Sequence, residues 1–434
     1  MTVAGEYARH GALEERELAG PRMRAVAATI FGNSLEWFDF AAYAFFATTI
    51  SGHFFPPGND LVQLMNTFAA FGLGFIARPL GALFFGRLGD DRGRRLALLI
   101  SMPLMGLGTL MIGLAPSYAS IGIGAPLILL GARLLQGFSA GGEVGNAMAF
   151  LSEWAPSDRR GLYTGLQQCS ALLGTLAGSG CAAIVNGLLS ADALSSWGWR
   201  LPFLVGGLVV APLGWLLRKA VDETPVFERP VGADPKAGAH PSPWTLGAKT
   251  VALCAAWVVS FYVYLIYLPS YLAKLTGASA TTALWANTAG LATMMVTIPL
   301  AGMLSDRIGR RPPLLVATVL AIVLPFPIFS YLVGGPSSFG TFAVLIGAGA
   351  LCGLFAGIIP ATMSEMFPTA VRTTGVSVSF GLATAVFGGF APFISTWLIS
   401  LTGSKIAPAG YLLVAGFLSL ATLLSVKETA YDDL

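Results

Sequence analysis

The chain has 434 residues, of which 55% are hydrophobic and 11% charged, and its mean hydropathy is +0.72. This composition excludes an ordinary soluble globular protein and indicates an integral membrane protein. The net charge of +3 comes from short basic clusters between apolar runs, so we expect no nucleic-acid partner. The four cysteines and three histidines match no disulfide, zinc or redox spacing, and we predict no metal site.

Apolar runs long enough to cross a membrane, about 20 residues each, follow one another along the whole chain. Because the runs are continuous and lack period-2 alternation, they predict helices and not a barrel. The predicted spans 1 to 12 cover residues 24–50, 61–86, 96–115, 121–151, 161–189, 200–218, 246–273, 281–304, 313–333, 339–365, 373–402 and 408–426.

A segment rich in proline and charge separates the sixth span from the seventh. We predict a cytoplasmic arm at 1–23, a six-helix bundle at 24–219, a cytoplasmic linker at 220–245, a second bundle at 246–427 and a tail at 428–434. Most Lys and Arg residues lie in the arm, the linker, the tail and the loops that follow even-numbered spans. Since positive residues of short loops stay cytoplasmic, we predict a protein of the cell (inner) membrane with both termini in the cytoplasm.

Two loop motifs recur in the two halves of the chain. GRLGDDRGRR at 86–95 returns as GMLSDRIGRR at 302–311. SEWAPSDRR at 152–160 returns as SEMFPTAVR at 364–372, displaced along the chain by nearly the same amount. Two motifs at nearly one offset indicate a duplicated unit, the arrangement of secondary transporters whose binding site lies between repeats. The predicted fold is therefore all-α, with two pseudo-symmetric bundles of six membrane helices.

Further motifs are GNSLEWFDF in span 1, RPLG in span 2, ARLLQGFSAGGE in span 4 and WGWRLPF before span 6. Together with the loop motifs and the division of six and six, they resemble the major facilitator superfamily and, within it, the metabolite:proton symporter family. The resemblance covers nearly the whole chain and implies a proton-coupled transporter of alternating access, not an enzyme. LATAVFGGF in span 11 resembles the citrate and tricarballylate branch, and the proline and betaine branch is similar too.

In this family the repeated loops act as a cytoplasmic gate, and the physical chemistry agrees. An Asp beside arginines at a helix end can bond to a neighbouring helix end in one conformation and lose those bonds in the other. The alternative is that the arginines only anchor the topology, although acids contribute little to orientation. The predicted gate comprises Gly86, Asp90, Arg94, Arg95, Glu153, Asp306, Arg310, Arg311 and Glu365.

Five acidic or basic residues lie within the spans and away from their ends, where a charge costs at least ~2.5 kcal/mol and therefore marks a functional candidate. They are Glu36, Asp39, Arg78, Arg133 and Glu143. Counted at about 1.5 Å per residue, Glu36, Asp39 and Arg133 reach the middle of the membrane, whereas Arg78 and Glu143 lie nearer the cytoplasm. Two ion pairs are therefore possible, one central and one lower.

Glu36 and Asp39 are three residues apart and share a helix face with Asn33. Two nearby carboxylates in a low dielectric do not both ionise cheaply, so one should exchange a proton while Arg133 compensates the other. By similarity to sugar:proton symporters, which pair an acid of span 1 with an arginine of span 4, we predict Asp39 and Arg133 as the proton-coupling pair. Glu36 is the second candidate, and a static salt bridge is the structural alternative.

The substrate is expected to be an anion, because Arg133 and Arg78 can each bind a carboxylate through two parallel hydrogen bonds. Asn33 and Gln136 extend this polar surface, while the glycines after Gln136 are expected to pack against another helix. Proton uptake would offset part of the substrate's charge. We therefore predict symport of a di- or tricarboxylate such as citrate, tricarballylate or 2-oxoglutarate.

Span 7 supplies an aromatic face with Trp257, Tyr264 and Tyr271, and Tyr267 lies close to it. We predict that Tyr264 and Tyr267 contact substrate, either by hydrogen bonds or by caging a quaternary ammonium group. The second possibility keeps a proline or betaine symporter as an alternative. A membrane-interface belt is the other interpretation of Tyr267 and Tyr271.

Other mechanisms are less well supported. No GxxxxGK[ST] loop occurs, so we expect a proton gradient and no cofactor as the energy source. No nucleophile or metal cluster accompanies the acids, which disfavours an enzyme. A passive facilitator or a proton-driven exporter stays open, since the direction of transport is not written in the sequence. The expected partners are a small organic anion, protons and the lipid bilayer, and we expect a functional monomer.

Overall fold

The computed structural model of the protein describes residues 33–34, 36–92, 94–141, 160–219, 242–367 and 372–430. Long apolar helices fill these ranges, as the continuous hydrophobic runs predict. The helices are α1 (residues 36–45, continued by Ala47–Phe54), α2 (Asp60–Arg92), α3 (Arg94–Leu114), α4 (Gly124–Ala140), α5 (Arg160–Leu188), α6 (Leu201–Val205, Gly206–Val210 and Ala211–Lys219), α7 (Pro243–Ser260, Phe261–Tyr267, Leu268–Tyr271 and Leu272–Thr276), α8 (Ala280–Ile308), α9 (Arg311–Val323 and Pro325–Val333), α10 (Ser338–Met366), α11 (Arg372–Ala383, Thr384–Gly389 and Ala391–Thr402) and α12 (Pro408–Ser425).

Nine of these helices are long and apolar enough to cross a membrane when only the described residues are considered. Parts of spans 1 and 4, at 24–32 and 142–151, lie outside the described residues. Most of the predicted linker, 220–241, lies outside them as well, between the end of α6 and the start of α7. The one clear difference in extent is α2, which continues through the loop motif to Arg92 and not only to residue 86.

The duplication is visible where helices cross. A Cβ on Gly137 of α4 would overlap the carbonyl oxygen of Gly74 on α2. A Cβ on Gly349 of α10 would overlap the carbonyl oxygen of Gly290 on α8. Gly290 follows Gly74, and Gly349 follows Gly137, at the same offsets as the loop motifs. The two crossings are therefore equivalent, and the expectation that the glycines of span 4 serve close packing is confirmed for Gly137 and Gly141, while Gly142 and Gly145 lie outside the described residues.

We expect Gly137→Ala and Gly349→Ala to destabilise the fold, because each new methyl group must push two helix backbones apart. The cost should be about 1–3 kcal/mol or more, the range for overpacking. Thermal unfolding of the purified protein in detergent measures it. Matched controls exist on the same helices: Gly131→Ala, whose Cβ approaches nothing closer than 3.9 Å, and Gly347→Ala, which has nothing within 4 Å. Equal unfolding temperatures for all four variants would contradict the close-packing role.

The two halves meet along α5 and α8 and along α2 and α11. Ser179 of α5 hydrogen-bonds with Thr288 of α8 at 2.9 Å. At one end of this interface the amide of Leu162 donates to Asp306 at 3.2 Å, and at the other Lys274 pairs with Asp60 at 3.1 Å. Contacts thus join the halves at both ends. This arrangement encloses the buried charges described next.

Candidate functional site

A buried ion pair joins α1 to α2. Arg78 Nη2 lies 2.8 Å from Glu36 Oε1, and the two side chains are only 8% and 5% exposed. The guanidinium carbon of Arg78 stands 4.5 Å from the ring centre of Phe75 and 4.7 Å from that of Phe40, as in cation–π contacts. Glu143, the other predicted partner of Arg78, lies outside the described residues. The depth estimate placed Arg78 below Glu36 because it counted backbone rise and left out the length of the arginine side chain.

Asp39 lies at the centre of a polar relay between α1, α3 and α4. Thr109 Oγ1 donates to Asp39 Oδ2 at 2.5 Å, and Gln136 Nε2 donates to the same oxygen. Gln136 Oε1 in turn accepts a hydrogen bond of 2.7 Å from Arg133 Nη1. The predicted connection between Asp39 and Arg133 therefore exists, but it runs through Gln136. An amide can bridge the two because it carries both a donor and an acceptor.

Arg133 is fully buried among aromatic rings. Its guanidinium carbon lies 4.4 Å from the ring centre of Phe40, 4.5 Å from that of Tyr43 and 5.2 Å from that of Phe71. Two of its nitrogens, Nε and Nη2, donate no hydrogen bond to any residue that the structure describes. Ring faces stabilise the cation without satisfying these donors, so Arg133 retains the capacity to bind an acceptor.

The shared helix face predicted for Asn33, Glu36 and Asp39 leads to three different neighbours. Asn33 Nδ2, just ahead of α1, donates to Ser170 Oγ on α5 at 2.7 Å, whereas the two acids turn to α2 and to α3 and α4. When a helix is surrounded by several others, two of its residues that are three positions apart can contact different neighbouring helices. Asn33 therefore joins the start of the first span to α5 in this structure and does not line the cavity described next.

A small cavity of about 40 Å³ lies between the two halves. Gln168 Nε2 of α5 and the hydroxyl of Tyr262 on α7 are buried there without a hydrogen-bond partner among the described residues. Its walls also include aromatic rings from both halves, among them Trp37 and Trp257. The described residues of the lining are Trp37, Gln168, Ala171, Leu172, Thr175, Trp257, Val258, Phe261, Tyr262, Met294, Ala356, Phe380 and Thr384. We call it the central cavity; Arg78 and Arg133 are not among these lining residues.

The predicted tyrosines do not belong to the described lining of the central cavity. Tyr264 stacks on Phe329 of α9, inside the C-terminal half, and Tyr267 packs edge-on against Phe68 of α2. Both are fully buried, so the membrane-interface interpretation of Tyr267 is wrong. Residues Phe261–Tyr267 form a π-helix, in which hydrogen bonds join residues five apart. From α7 the cavity wall takes Trp257, Val258, Phe261 and Tyr262, two pairs of residues four apart. Tyr264 lies further along, within the π-helical segment, and faces α9 instead.

The C-terminal copy of the gate motif brings together most of the residues predicted for it. Arg310 is 1% exposed and donates to both carboxylate oxygens of Glu365, at 2.8 and 3.2 Å. It also donates to Asp306 Oδ1 and to Ser305 Oγ, each at 2.7 Å. Asp306 accepts from the amide of Leu162 across the interface. Asp306, Arg310 and Glu365 thus form one network that includes the other half of the chain.

The remaining gate residues are described only in part. Gly86, Asp90, Arg94 and Arg95 belong to α2 and α3, but their side chains lie outside the described part of the structure, as does all of Glu153. The backbone amide of Arg311 donates to Glu428 Oε2 at 3.0 Å, and that of Arg310 to Glu428 Oε1 at 2.7 Å. Thr429 Oγ1 donates to Glu365 at 2.7 Å. The tail is therefore part of this network.

Comparison with known proteins identifies the family. Residues 25–239 match the family described as "Sugar (and other) transporter", and residues 251–430 match "Major Facilitator Superfamily". The citrate-proton symporter of Klebsiella pneumoniae is 38% identical over 426 residues, covering 95% of this chain and 92% of that protein. The chain belongs to the major facilitator superfamily. It is an integral membrane transporter and not an enzyme, as the motifs predicted.

Other relatives of this transporter differ in their cargo. The proline/betaine transporter of Escherichia coli (strain K12) is 34% identical over 425 residues, covering 95% of this chain and 84% of that protein. The solved structure of the xylose transporter XylE from E. coli, in a partially occluded inward open conformation, matches with a TM-score of 0.75. It is 16% identical and covers 95% of this chain and 99% of that one. This likeness confirms the fold alone.

Sequence reasoning missed several residues of the transporter's networks. Gln168 was recognisable as a polar residue within span 5, but nothing in its spacing indicated which neighbour it faces. Ser305 stands where the gate motif departs from its first copy, yet it accepts a hydrogen bond from Arg310. Glu428 and Thr429 lie beyond the last span, and only the folded chain brings them to the gate network.

Glu428 predicts a pH dependence of the transporter's stability. Burial raises the pKa of this carboxyl, but four backbone N–H groups together outweigh burial and hold it below its ordinary value of 4.5. Because the pKa is lower in the folded than in the unfolded chain, the ionised carboxylate stabilises the fold at pH values above the ordinary pKa. This contribution disappears as pH falls through the lowered, folded-state pKa. We expect wild type to unfold at a higher temperature than Glu428→Gln at neutral pH, with the difference shrinking below about pH 4.5. A difference that does not change with pH would contradict this assignment.

Proposed function

We propose that this transporter carries a small organic carboxylate together with protons by alternating access. The observation that carries the proposal is the relay in which Gln136 connects Asp39 to the guanidinium of Arg133, two of whose nitrogens have no acceptor among the described residues. Energy would come from the proton gradient without a cofactor. We propose further that the protein works as a monomer with both termini in the cytoplasm of a cell whose inner membrane it spans.

Charge balance explains how proton and anion would bind together. With both acids ionised, Glu36 offsets Arg78 and Asp39 offsets Arg133 through Gln136. A proton on Asp39 leaves one positive charge without its compensating carboxylate, buried where electrostatic interactions are strong. An anionic substrate can then replace that negative charge. Proton binding and carboxylate binding therefore favour each other, which is the requirement for symport.

Arg78 and Arg133, the arginines in the interior of the spans, occur in the N-terminal half only, although the two halves are duplicates. The positions that correspond to Arg78 and Arg133 by the repeat offsets are Met294 and Leu345. The N-terminal half would thus hold the proton and the anion, while the C-terminal half would contribute the wall with Trp257 and Tyr262. At about 40 Å³ the central cavity has room for water but not for a tricarboxylate. Substrate entry therefore requires the halves to separate, and aromatic rings around Arg133 to move aside.

A carboxylate suits both the site and the energetics. Import of each negative charge into a negative cell costs about 2.3 kcal/mol per 100 mV, and each proton carried with it cancels this cost. The relative of Klebsiella pneumoniae, a citrate-proton symporter, supports the same substrate class. The second candidate is a zwitterion such as proline or betaine. It is favoured by the aromatic lining of Trp37, Trp257 and Tyr262, which suits cation–π contacts, and by the E. coli relative.

A substrate panel tests the proposal. Purified transporter in proteoliposomes, with a pH-sensitive dye inside, is given citrate, tricarballylate, 2-oxoglutarate, proline or glycine betaine outside. We expect a carboxylate to acidify the lumen and proline and betaine to have no effect. Protonation of Asp39 leaves the positive charge of Arg133 uncompensated, and only an anion replaces the missing negative charge. The matched control is Arg133→Gln, which should lose the response. Acidification by betaine or proline alone would favour the second candidate and overturn the carboxylate proposal.

A further inference from the structure

A second cavity lies inside the N-terminal half, away from the interface between the halves. It has a volume of about 40 Å³ and lies between α1, α3, α4 and α6. Asp39 and Glu36 line it together with the hydroxyl residues Ser101, Thr109 and Ser139, and with Gly206 of α6. We call it the lateral cavity. Among the described residues that line it, none belongs to the C-terminal half.

The two oxygens of Asp39 have different surroundings. Oδ2 accepts the hydrogen bonds of Thr109 and Gln136, whereas Oδ1 is buried and accepts none from the described residues. Oδ1 lies on the side of α6, 3.8 Å from the position that a Cβ would take at Gly206. The oxygen that is available to carry a proton therefore belongs to the wall of the lateral cavity. The relay to Arg133 uses the other oxygen.

Helix α6 leaves space beside Asp39 at Gly206. Gly206 has no side chain, and a Cβ there would approach Thr109 Cγ2 to 3.2 Å. Residues Gly206–Val210 form a π-helix, a local irregularity that is frequent at functional sites. Val210 and Ala211, at the end of that segment, line the same cavity. The irregular part of α6 is thus the part that faces Asp39.

The lateral cavity extends from Asp39 toward one end of the bundle. Ser101 precedes Thr109 by about two turns of α3, which is roughly 12 Å along the helix. It lies on the side of Arg94, where α3 begins and where the basic loop predicts the cytoplasm. The walls of the cavity are mainly apolar, with Met102, Met105 and Val210 among them, and a cavity of this size holds water where polar groups supply partners. Ser101, Thr109 and Ser139 supply them.

We propose that the lateral cavity is a water-filled proton pathway that joins Asp39 Oδ1 to the cytoplasmic end of the N-terminal half, separate from the substrate pathway between the halves. The proposal rests on the proton coupling proposed above. In the release step the O–H bond of protonated Asp39 breaks, its electron pair stays on Oδ1, and a cavity water accepts the proton and passes another to the cytoplasm. Around Asp39, α4 contributes Arg133 through Gln136, Glu36 is paired with Arg78 of α2, and the residues of α3 and α6 that face it are Thr109 and Gly206.

The separation of the two pathways explains how a proton could leave after the substrate. A route through the central cavity would require the proton to pass the aromatic rings and the bound carboxylate. The lateral cavity avoids both, because its described walls come from helices of the N-terminal half. Its blockage should therefore slow proton exchange at Asp39 without closing the central cavity.

Infrared spectroscopy of the full chain in lipid tests this directly. The band of the protonated Asp39 carboxyl, identified by its loss in Asp39→Asn, shifts when H₂O is replaced by D₂O. We expect Ser101→Leu, which fills the lateral cavity about two turns of α3 before Thr109, to slow this exchange at least tenfold. Ser101→Ala, which removes the hydroxyl without filling space, should slow it much less. Thr384→Leu, which fills the central cavity, should leave the rate as in wild type.

Equal exchange rates in Ser101→Leu and wild type would overturn the proposal, and so would slowing by Thr384→Leu alone. If Ser101→Leu does not fold, Val210→Phe fills the same cavity from α6. The infrared measurement needs no substrate. A failed carboxylate panel would therefore overturn the proposed function, while a normal exchange rate in the filled variants would overturn the pathway.

Discussion

Asp39→Asn is expected to abolish proton-driven accumulation of the carboxylate that the substrate panel identifies, with citrate as the first to test, while counterflow of that carboxylate continues. Asparagine has the shape of a protonated aspartate and can still accept from Thr109 and Gln136, so the relay should survive. It cannot release a proton, however, and Arg133 permanently lacks a compensating carboxylate. A pH gradient of one unit supplies about 1.4 kcal/mol per proton, a tenfold accumulation. In the variant this factor should fall to about one.

The experiment compares uptake of labelled citrate under a pH gradient with exchange at equal pH on both sides. Thr109→Val is a useful control, because it removes a hydrogen bond to Asp39 and keeps the titratable carboxyl. We expect that variant to accumulate citrate, at a changed pH optimum. Full accumulation by Asp39→Asn would assign the proton to another group, with Glu36 as the first candidate.

Glu36→Gln is expected to destabilise the protein strongly and to leave proton coupling intact in the molecules that fold. The substitution leaves the guanidinium of Arg78 buried without its ionised partner. Loss of one member of a buried pair costs about 3–5 kcal/mol, whereas replacement of both by apolar residues is often neutral. Glu36→Met combined with Arg78→Met should therefore recover much of the stability that Glu36→Gln loses.

Denaturation in detergent, followed by the reactivity of the buried thiols of Cys254 and Cys352, measures these differences. The single and double variants together form the comparison, and each serves as the control of the other. If Glu36→Gln and wild type unfold at the same denaturant concentration, the ion pair contributes nothing to stability. If it folds normally but loses accumulation, Glu36 carries the proton and the roles assigned to the two acids are reversed.

The two acids of GNSLEWFDF illustrate what a one-dimensional pattern can show. Their burial, their three-residue spacing and their depth near Arg133 follow from counting along an apolar run. The difference between them does not, because it depends on which helices stand on each side of α1. Glu36 meets Arg78 in an ion pair, and Asp39 meets Thr109 and Gln136 in hydrogen bonds. One arrangement favours a fixed charge, and the other leaves an oxygen able to exchange a proton.

Span 7 shows the opposite case, in which the pattern itself was misleading. The aromatic face was assigned with an α-helical period, and a π-helical segment changes that period. The central cavity is lined by Trp257, Val258, Phe261 and Tyr262 of this helix, while Tyr264, inside the π-helical segment, packs within the C-terminal half. A run of apolar and aromatic residues contains no local signal for this change, since packing with neighbouring helices stabilises it.

The amino-acid pattern alone indicated the membrane class, the twelve spans, the duplication and the family, because lipid permits few ways to satisfy a backbone and because the repeated motifs are readable in the residue order. It also determined which charges enter the membrane. The partners of these charges emerged only from the folded chain. Gln136 lies between Asp39 and Arg133, Glu36 pairs with Arg78, and Glu428 of the tail joins the gate network. These choices depend on contacts within a few ångströms between residues far apart in the chain, and no periodicity along one helix encodes them.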